Sequence, residues 1–261
     1  MRCAMIAPPK VVRAESLLTL AKPKVTRYTN VVHSRRVRPS DRPWRELRPF
    51  NFSDYCYQQR MTRIIAYIDG FNLYHAIHDL KRPSLKWLDL WALANSLSRP
   101  GESVIEVNYF SAYATWRSDA HRRHIDYVKA LEHVGVTCIM GHFKSKTNTC
   151  KSCGATWVQH EEKETDVHIA SRMVVDACED RFDRAMLITA DSDLAPALNI
   201  IKTRIPKKQL FVVAPPGRHN HARSLNTALT LTPGRLAKCL LPETATDVIG
   251  RTIFRRPASY C

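Results

Sequence analysis

The sequence lacks long apolar segments and glycine-rich loops. No window of eighteen residues is apolar throughout, which excludes a membrane-spanning helix from this sequence. No continuous apolar run follows the early arginine, so we expect no secretory signal. Only 8 of the 261 residues are glycine, and they form no glycine-rich phosphate loop. Nucleoside-triphosphate chemistry therefore has no support in the sequence.

Cysteines are few and scattered. Eight cysteines in a chain of 261 residues do not make a disulfide-dense scaffold, which argues against a small secreted fold. We therefore expect a reducing, cytoplasmic compartment. Only Cys150 and Cys153 lie close enough in sequence to share a purpose.

Acidic residues are scarce relative to basic ones. The chain has 24 Asp and Glu against 40 Lys and Arg, for a net charge of +16. Residues 1–60 hold 13 of the basic and 4 of the acidic residues, so more than half of the excess lies in less than a quarter of the chain. Basic proteins suit polyanionic partners, RNA or DNA first. A solvated basic tail is the plainer alternative for this segment.

Composition divides the chain into three parts. Residues 1–60 are rich in Arg and Pro without a helix or strand period, so we expect a disordered extension. Met61 directly precedes an apolar run, which makes it an alternative start of the protein. We expect the folded domain at 61–243, with a Cys-x₂-Cys loop at 144–160 and a C-terminal tail at 244–261.

Short apolar runs alternate with helical patterns from residue 63 onward. Strands are predicted at 63–68, 103–113, 136–143, 184–190 and 208–214. Strands that alternate with helices predict a mainly parallel, doubly wound sheet. The sequence therefore predicts an α/β fold.

Aspartates follow the ends of two predicted strands. Asp69 ends the first strand, and Asp191 and Asp193 follow the fourth in the segment MLITADSDLAP. Sites in open parallel sheets form outside the carboxyl ends of the strands, so these side chains meet if the two strands are neighbours at a switch point. Asp166, at the start of the preceding helix, is a fourth candidate. Each aspartate alone is typical of a turn or helix cap, but the combination favours a site.

Clustered carboxylates remain ionised together only where positive charge offsets their repulsion. Mg²⁺ and Mn²⁺ bind carboxylate and water oxygens readily. Beside a phosphodiester, such an ion polarises a phosphoryl oxygen and activates a water for attack. The aspartates therefore predict metal-dependent phosphodiester hydrolysis.

Three separated motifs together resemble the NYN domain, a branch of the PIN-like nuclease superfamily. They are YIDGFNLYHA (67–76), EEKETDVHIA (161–170) and LITADSDLAPAL (187–198), in the order that the family has them. The resemblance implies a PIN-like three-layer α/β/α sandwich with a mainly parallel central sheet. It also implies RNA as the substrate and a metal-dependent endoribonuclease as the activity, with a metal-activated water as the nucleophile.

The resemblance also implies roles for individual residues. Four carboxylates would hold Mg²⁺ or Mn²⁺: Asp69, Asp166, Asp191 and Asp193. Asn72 would orient a ligand or a water. Three further motif residues would contact the substrate: Lys163, Thr189 and Ser192. The alternatives are that Thr189 and Ser192 hydrogen-bond the carboxylates and that Lys163 is a solvated partner of Glu162 or Glu164. The commonest form of the third motif has Ser and Gly where this chain has Thr189 and Ala190. Thr189 keeps the hydroxyl, and Ala190 is also a small residue.

Two alternatives to a ribonuclease remain open. A non-catalytic RNA-binding or recruitment module would use the same fold with a weak acidic site. A phosphatase-like hydrolase also has Asp-x-Asp after a strand, but it needs Thr or Val two residues beyond the second Asp, where this chain has Ala195. The phosphatase hypothesis is therefore the weaker of the two.

The segment after the fifth predicted strand, APPGRHNHARS, is basic. Arg218 in this segment should face the same edge of the sheet as the aspartates and contact a phosphate, although a solvated loop is an equal alternative. Among the aromatic residues, the tryptophans are expected in the core. Tyr74, one turn past Asn72, is the one aromatic residue that we would test for base stacking.

The segment TCKSCGATW has the Cys-x₂-Cys-Gly form of a zinc knuckle. A structural zinc needs four ligands, and the chain has no second Cys-x₂-Cys. His142 and His160, which flank the loop, are candidates to complete a site with Cys150 and Cys153, and Cys138 is also near in sequence. A pair of free thiols is the alternative.

Overall fold

The computed structural model describes residues 61–261, so the expected disorder of residues 1–60 lies outside the described part. The described strands are β1 (Thr62–Asp69), β2 (Glu102–Ala112), β3 (Thr137–Thr149), β4 (Thr156–Lys163), β5 (Arg184–Ile188), β6 (Gln209–Ala214), β7 (Leu229–Thr230), β8 (Thr244–Thr246) and β9 (Thr252–Arg255). The described α-helices are α1 (Gly70–Asp79), α2 (Leu90–Ser96), α3 (Ser118–His133), α4 (Thr165–Cys178), α5 (Ala195–Arg204) and α6 (Pro233–Ala237). Short 3₁₀ helices lie at Pro83–Lys86, Ser192–Leu194, Arg223–Leu225 and Ala258–Tyr260.

Seven of these strands form one mainly parallel sheet in the order β4-β3-β2-β1-β5-β6-β7. Only β3 and β4 pair antiparallel within it. The chain runs outward from β1 through β2 and β3, and it then returns to place β5 on the other side of β1. The topological switch point therefore lies between β1 and β5, where Ile68 pairs with Ile188. The predicted α/β fold is confirmed.

Helices cover both faces of the sheet. Along β1, Ile64, Ala66 and Ile68 pack into one core cluster with residues of α2 and α3. The alternate residues Ile65 and Tyr67 pack into a second cluster with residues of α4 and α5. Successive side chains of a strand point to opposite faces, so a strand buried on both sides is an unbroken apolar run.

The β3–β4 hairpin extends beyond the sheet. Gly141 is the last residue of β3 that pairs with β2, and residues 142–149 pair with β4 alone. We call residues 142–163 the arm. Because β3 runs parallel to β2, the arm continues past the carboxyl ends of the parallel strands, over about 25 Å at 3.3 Å per residue. The sequence predicted a polar loop at 144–160; the arm is instead a paired hairpin, whose polar residues give no apolar alternation.

The C-terminal segment, which the sequence left as a tail, packs on the core. β8 and β9 pair antiparallel, and the buried side chains of Phe254 and Tyr260 lie against Trp87, with ring centroids 5.8 and 6.5 Å away. Two isolated aromatic residues carry no periodicity, so the sequence pattern did not predict this contact. Within residues 61–261, none of the helices has both the length and the apolar character that a membrane span needs.

Candidate metal centre

Asp69 ends β1 and caps α1 from a buried position. Its Oδ1 accepts a hydrogen bond of 2.9 Å from the backbone N–H of Asn72, and its Oδ2 accepts one of 2.8 Å from the hydroxyl of Thr189. The residue is only 4% exposed. Gly70 follows because a Cβ at that position would lie 2.6 Å from the carbonyl oxygen of Phe110. The start of α1 can therefore approach the end of β2 closely.

The segment after β5 is tied to the end of β1 by hydrogen bonds. The Thr189 hydroxyl, which donates to Asp69, also accepts a bond of 3.0 Å from the backbone N–H of Asp191. The side-chain oxygen of Asn72 accepts a bond of 3.2 Å from the backbone N–H of Ala190. The bonds of Thr189 to Asp69 and of Ala190 to Asn72 cross the β1–β5 switch point. Asn72 therefore positions the loop that carries Asp191.

Three carboxylates converge at this switch point. One carboxylate oxygen from each of Asp69, Asp166 and Asp191 lies within 4.8 Å of the others. Asp166 reaches the cluster from the first turn of α4. Among residues 61–261, no lysine or arginine forms an ion pair with any of the three. We call these three residues the acidic cluster.

Burial and mutual repulsion raise two pKa values in the acidic cluster. Burial raises the pKa of Asp69 from 3.8 to about 6, and the charges of Asp166 and Asp191 add to the rise, whereas the Asn72 and Thr189 hydrogen bonds oppose it. Burial likewise raises the pKa of Asp166 to about 6, with further contributions from Asp191, Glu162 and Asp193. Burial and the neighbouring negative charges therefore both disfavour ionisation of Asp69 and Asp166. A divalent cation with oxygen ligands fits this donor set.

Asp193 lies outside the acidic cluster. The residue is exposed, and its backbone N–H donates a hydrogen bond of 2.9 Å to the side chain of Asp191. Its charge nevertheless raises the pKa of Asp166, so it belongs to the electrostatic surroundings of the cluster. The structure therefore brings together three of the four metal ligands that the sequence predicted.

A cavity of ≈ 410 Å³ opens beside the acidic cluster. Asp191, Ser192, Asn72 and Arg218 are among the residues that line it. Ser192 is exposed there, and Arg218 also forms an ion pair with Asp79. The structure therefore brings two of the predicted substrate contacts, Ser192 and Arg218, to the cavity that Asp191 lines.

The other two predicted substrate contacts lie elsewhere. Thr189 is fully buried, so its hydroxyl reaches Asp69 and Asp191 and not a bound substrate. Lys163 is still in β4, where the sequence had predicted the start of a helix. Strand alternation therefore turns Lys163 to the face opposite Glu162, and it pairs with Glu161 at 3.0 Å.

The four predicted zinc ligands do not converge. In the arm, His142 pairs with Lys163 and His160 with Ser145, a register that puts the two imidazoles on opposite faces. His142 contacts Glu164 at 3.1 Å, and His160 stacks on Trp116. The acidic cluster is the only group of three or more His, Cys, Asp or Glu in residues 61–261 that is close enough to share an ion.

The cysteine pair lies in the turn of the arm, and Cys138 lies at the start of β3 against the core. The Cys150 sulfur is 3.0 Å from the hydroxyl of Ser152. Hydrogen bonds from Ser152 and from the backbone of Cys153 and Ser152 lower the pKa of the Cys150 thiol to about 6. The two cysteines alone give half of the ligand set that a structural zinc needs.

A second cavity, of ≈ 510 Å³, lies between α1, α3 and the base of the arm, and the sequence did not predict it. We call it the aromatic cavity. Seven of its lining residues carry phenyl, phenol or indole rings: Phe71, Tyr74, Tyr109, Trp116, Tyr127, Phe143 and Tyr260. Trp116, expected in the core, is 39% exposed. No local sequence pattern marks this cavity, because the rings come from six separate segments of the chain.

Comparisons with known proteins identify one matching family and two similar proteins. The family model of the NYN domain matches residues 63–230, which run from β1 to β7. A relative from Pseudomonas putida, named 6-hydroxy-3-succinoylpyridine 3-monooxygenase HspA, is 27% identical over 245 residues, covering 76% of this chain and 75% of that protein. The solved structure of VPA0982, a Vibrio parahaemolyticus protein of unknown function, covers 66% of this chain and 93% of its own at 16% identity, with a TM-score of 0.42.

Proposed function

The chain belongs to the NYN domain family, and on that premise we propose that it is a Mg²⁺- or Mn²⁺-dependent endoribonuclease. The observation that carries this proposal is the acidic cluster, in which three carboxylates meet at the switch point and form no ion pair with a lysine or arginine of residues 61–261. Asp69, Asp166 and Asp191 would hold the ion. When bound, such an ion would polarise a phosphoryl oxygen and make a water more acidic.

The surrounding residues suit the binding of a phosphodiester. Thr189 and the backbone N–H of Asn72 keep Asp69 oriented through donated hydrogen bonds. Arg218 places a guanidinium group at the cavity that Asp191 lines, where it can donate to a phosphate. The net charge of +16 favours association with a polyanion such as RNA.

Cleavage of a labelled RNA pool by the full chain tests the proposal. We expect cutting with Mn²⁺ or Mg²⁺ and none with EDTA. Asp191→Asn should lower the cleavage rate by about 10²-fold or more, because one fixed charge at the reacting centre is lost. The matched control is Asp119→Asn on α3, which lies outside the acidic cluster and should cut at the wild-type rate.

Two results would contradict a ribonuclease. Cutting that survives both EDTA and Asp191→Asn would point to a contaminating nuclease. Tight RNA binding without cutting at any metal concentration, unchanged by Asp191→Asn, would favour the non-catalytic RNA-binding or recruitment module instead.

The name of the Pseudomonas relative suggests a second candidate function, oxidation of a small aromatic substrate. The aromatic cavity favours it, because ≈ 510 Å³ is within the usual range of small-molecule sites. The test is oxygen consumption with 6-hydroxy-3-succinoylpyridine and a reduced nicotinamide or flavin as the electron donor. Substrate-dependent oxygen uptake without RNA cleavage would favour this function over the nuclease.

A further inference from the structure

The aromatic cavity adjoins the acidic cluster. Gly70, at its edge, directly follows Asp69, and Glu162, another lining residue, contributes to the raised pKa of Asp166. Phe71 and His75 line both this cavity and the one beside Asp191. A ligand that occupies both cavities would therefore pass over the first turns of α1.

The walls of the aromatic cavity present a fixed set of rings. The rings of Trp116 and His160 are stacked, with centroids 3.7 Å apart and planes inclined by 6°. Phe143 packs edge-on against Trp116 at 4.6 Å and against Phe71 at 5.4 Å. These contacts hold the Trp116 ring in place although it is partly exposed. Fixed, accessible rings of this kind are what proteins use to stack unpaired bases.

Charge complementarity at the aromatic cavity favours a phosphate-bearing ligand. Lys86, Arg117 and Arg123 line it, against a single carboxylate, Glu162. Within residues 61–261, none of these three cations forms an ion pair with a carboxylate. Their charge is therefore available to the backbone of a nucleic acid.

The cavity also offers neutral polar groups. Ser111 is buried in its wall, and the Nε2 of His124 lies 3.2 Å from the hydroxyl of Tyr109. Burial lowers the pKa of His124 to about 4, so its imidazole is neutral near pH 7. Hydroxyl and neutral imidazole groups can donate to and accept from the edge of a base.

We propose that the aromatic cavity binds one unpaired base of an RNA strand whose neighbouring phosphate lies at the acidic cluster. The position of that phosphate rests on the proposed ribonuclease function, but the binding of the base does not. Base binding in this cavity would favour single-stranded RNA, because a paired base must first be unpaired and unstacked, at a cost of about a few kcal/mol, before it can enter.

The test compares two strands of equal charge. One is a fluorescein-labelled uridine hexamer, and the other is the same hexamer with every base replaced by an abasic site. The full chain carrying Asp191→Asn is used to prevent cleavage, and binding is followed by fluorescence anisotropy. We expect the hexamer with bases to bind about tenfold more tightly than the abasic hexamer.

Trp116→Ala should remove most of that tenfold difference and leave the affinity for the abasic hexamer unchanged. The matched control is Trp157→Ala in the arm, a tryptophan that is 51% exposed and does not line the cavity. It should keep the difference. Tyr74 is a second exposed ring of the cavity. Tyr74→Ala should also reduce the affinity difference between the two hexamers, and it keeps the test informative if Trp116→Ala fails to fold.

Three results would overturn the proposal. The two hexamers could bind equally well to the Asp191→Asn chain, or Trp157→Ala could cost as much as Trp116→Ala. The third is competition for the Trp116-dependent site by 6-hydroxy-3-succinoylpyridine and not by uridine monophosphate. A base-dependent difference without any cleavage by the wild-type chain would contradict the ribonuclease while supporting the base site.

Discussion

Helix α4 carries two aspartates with opposite surroundings. Asp176, near its end, is 1% exposed and accepts hydrogen bonds from Arg172, Arg181 and Tyr67 at 2.7 to 3.0 Å. The same two arginines also bind Glu106 of β2, so two carboxylates meet two guanidinium groups. Asp166 is ten residues earlier and about 15 Å away along the helix. Its carboxylate lies within 4.8 Å of those of Asp69 and Asp191, and no arginine or lysine of residues 61–261 forms an ion pair with it.

This difference distinguishes a buried carboxylate that is neutralised within the fold, Asp176, from carboxylates that are suited to bind a cation, those of the acidic cluster. Where a buried carboxylate is part of the fold, the chain supplies arginines that cancel its charge, because an unpaired buried charge is costly. At the switch point, residues 61–261 supply only the hydroxyl of Thr189 and the backbone N–H of Asn72 to Asp69, and these groups cancel no charge. The described part of the chain therefore does not supply the positive charge that would balance the acidic cluster.

The same substitution in the two places should therefore change stability in opposite directions. Asp176→Asn leaves two guanidinium groups without their partner, and we expect it to lower the free energy of unfolding by about 3 kcal/mol. This is the low end for a buried ion pair, since both arginines are partly exposed. Asp166→Asn relieves repulsion, and we expect it to raise the free energy of unfolding by about 1–2 kcal/mol.

Urea denaturation of the full chain in EDTA at pH 7 measures both changes. The two variants are each other's control, because they make the same chemical change on the same helix. If Asp166→Asn lowered the free energy of unfolding as much as Asp176→Asn, the charged carboxylate of Asp166 would stabilise the fold, as that of Asp176 does. The comparison would then give no reason to expect a metal.

The pH dependence of stability sharpens the comparison. The pKa values of Asp69 and Asp166 are raised to about 6, so their ionisation in the folded state is unfavourable. Their contribution to stability is fully present below about pH 4 and is lost as the pH rises through 6. The free energy of unfolding of the wild type, relative to Asp166→Asn, should therefore fall by about 1–2 kcal/mol between pH 4 and 7.5. This amount is discounted for solvent screening because Asp166 is partly exposed.

Mn²⁺ supplies the complementary measurement. At pH 7.5 we expect it to raise the unfolding temperature of the wild type, because an ion that binds only the folded state stabilises it by mass action. It should have less effect at pH 5, where the two aspartates hold protons, and little effect on Asp166→Asn at either pH. A rise of equal size in both proteins would place metal binding elsewhere on the chain.

The sequence predicted the acidic cluster for a definite physical reason. Strands β1 and β5 are buried on both faces, so their apolar runs end abruptly where Asp69 and Asp191 begin. Chain direction then puts both aspartates at the same edge of the sheet. Only the adjacency of the two strands had to be assumed, and the pairing of Ile68 with Ile188 confirms it.

The sequence failed where elements are polar or where partners are distant along the chain. Strand β4 is polar and continues to Lys163, where no apolar alternation marks a strand. Along α4, Ile169 and Met173 are buried, whereas the apolar Val167 is exposed. The contact of Arg181 with Glu106 joins residues 75 positions apart. No spacing rule reports a contact of that kind.

Thr189 provides the smallest predicted effect and the most local one. Its hydroxyl donates to the carboxylate of Asp69 and thereby opposes the rise in the pKa of that group. Thr189→Val removes the donor while keeping the shape of the side chain, so the pKa of Asp69 should rise further. A larger fraction of Asp69 would then be protonated, and protons would compete more strongly with Mn²⁺. We expect about 1 kcal/mol weaker Mn²⁺ binding at pH 6.5, or about fivefold in affinity, shrinking towards pH 8.

The control for this change is Thr189→Ser, which keeps the hydroxyl and loses only a methyl group. Isothermal titration of Mn²⁺ at the two pH values distinguishes the possibilities. If Val and Ser weakened binding equally and at both pH values, the effect would come from packing in the fully buried Thr189 position. If only Val weakened it, and more so at the lower pH, the hydroxyl would be holding Asp69 in the ionised form that a cation requires.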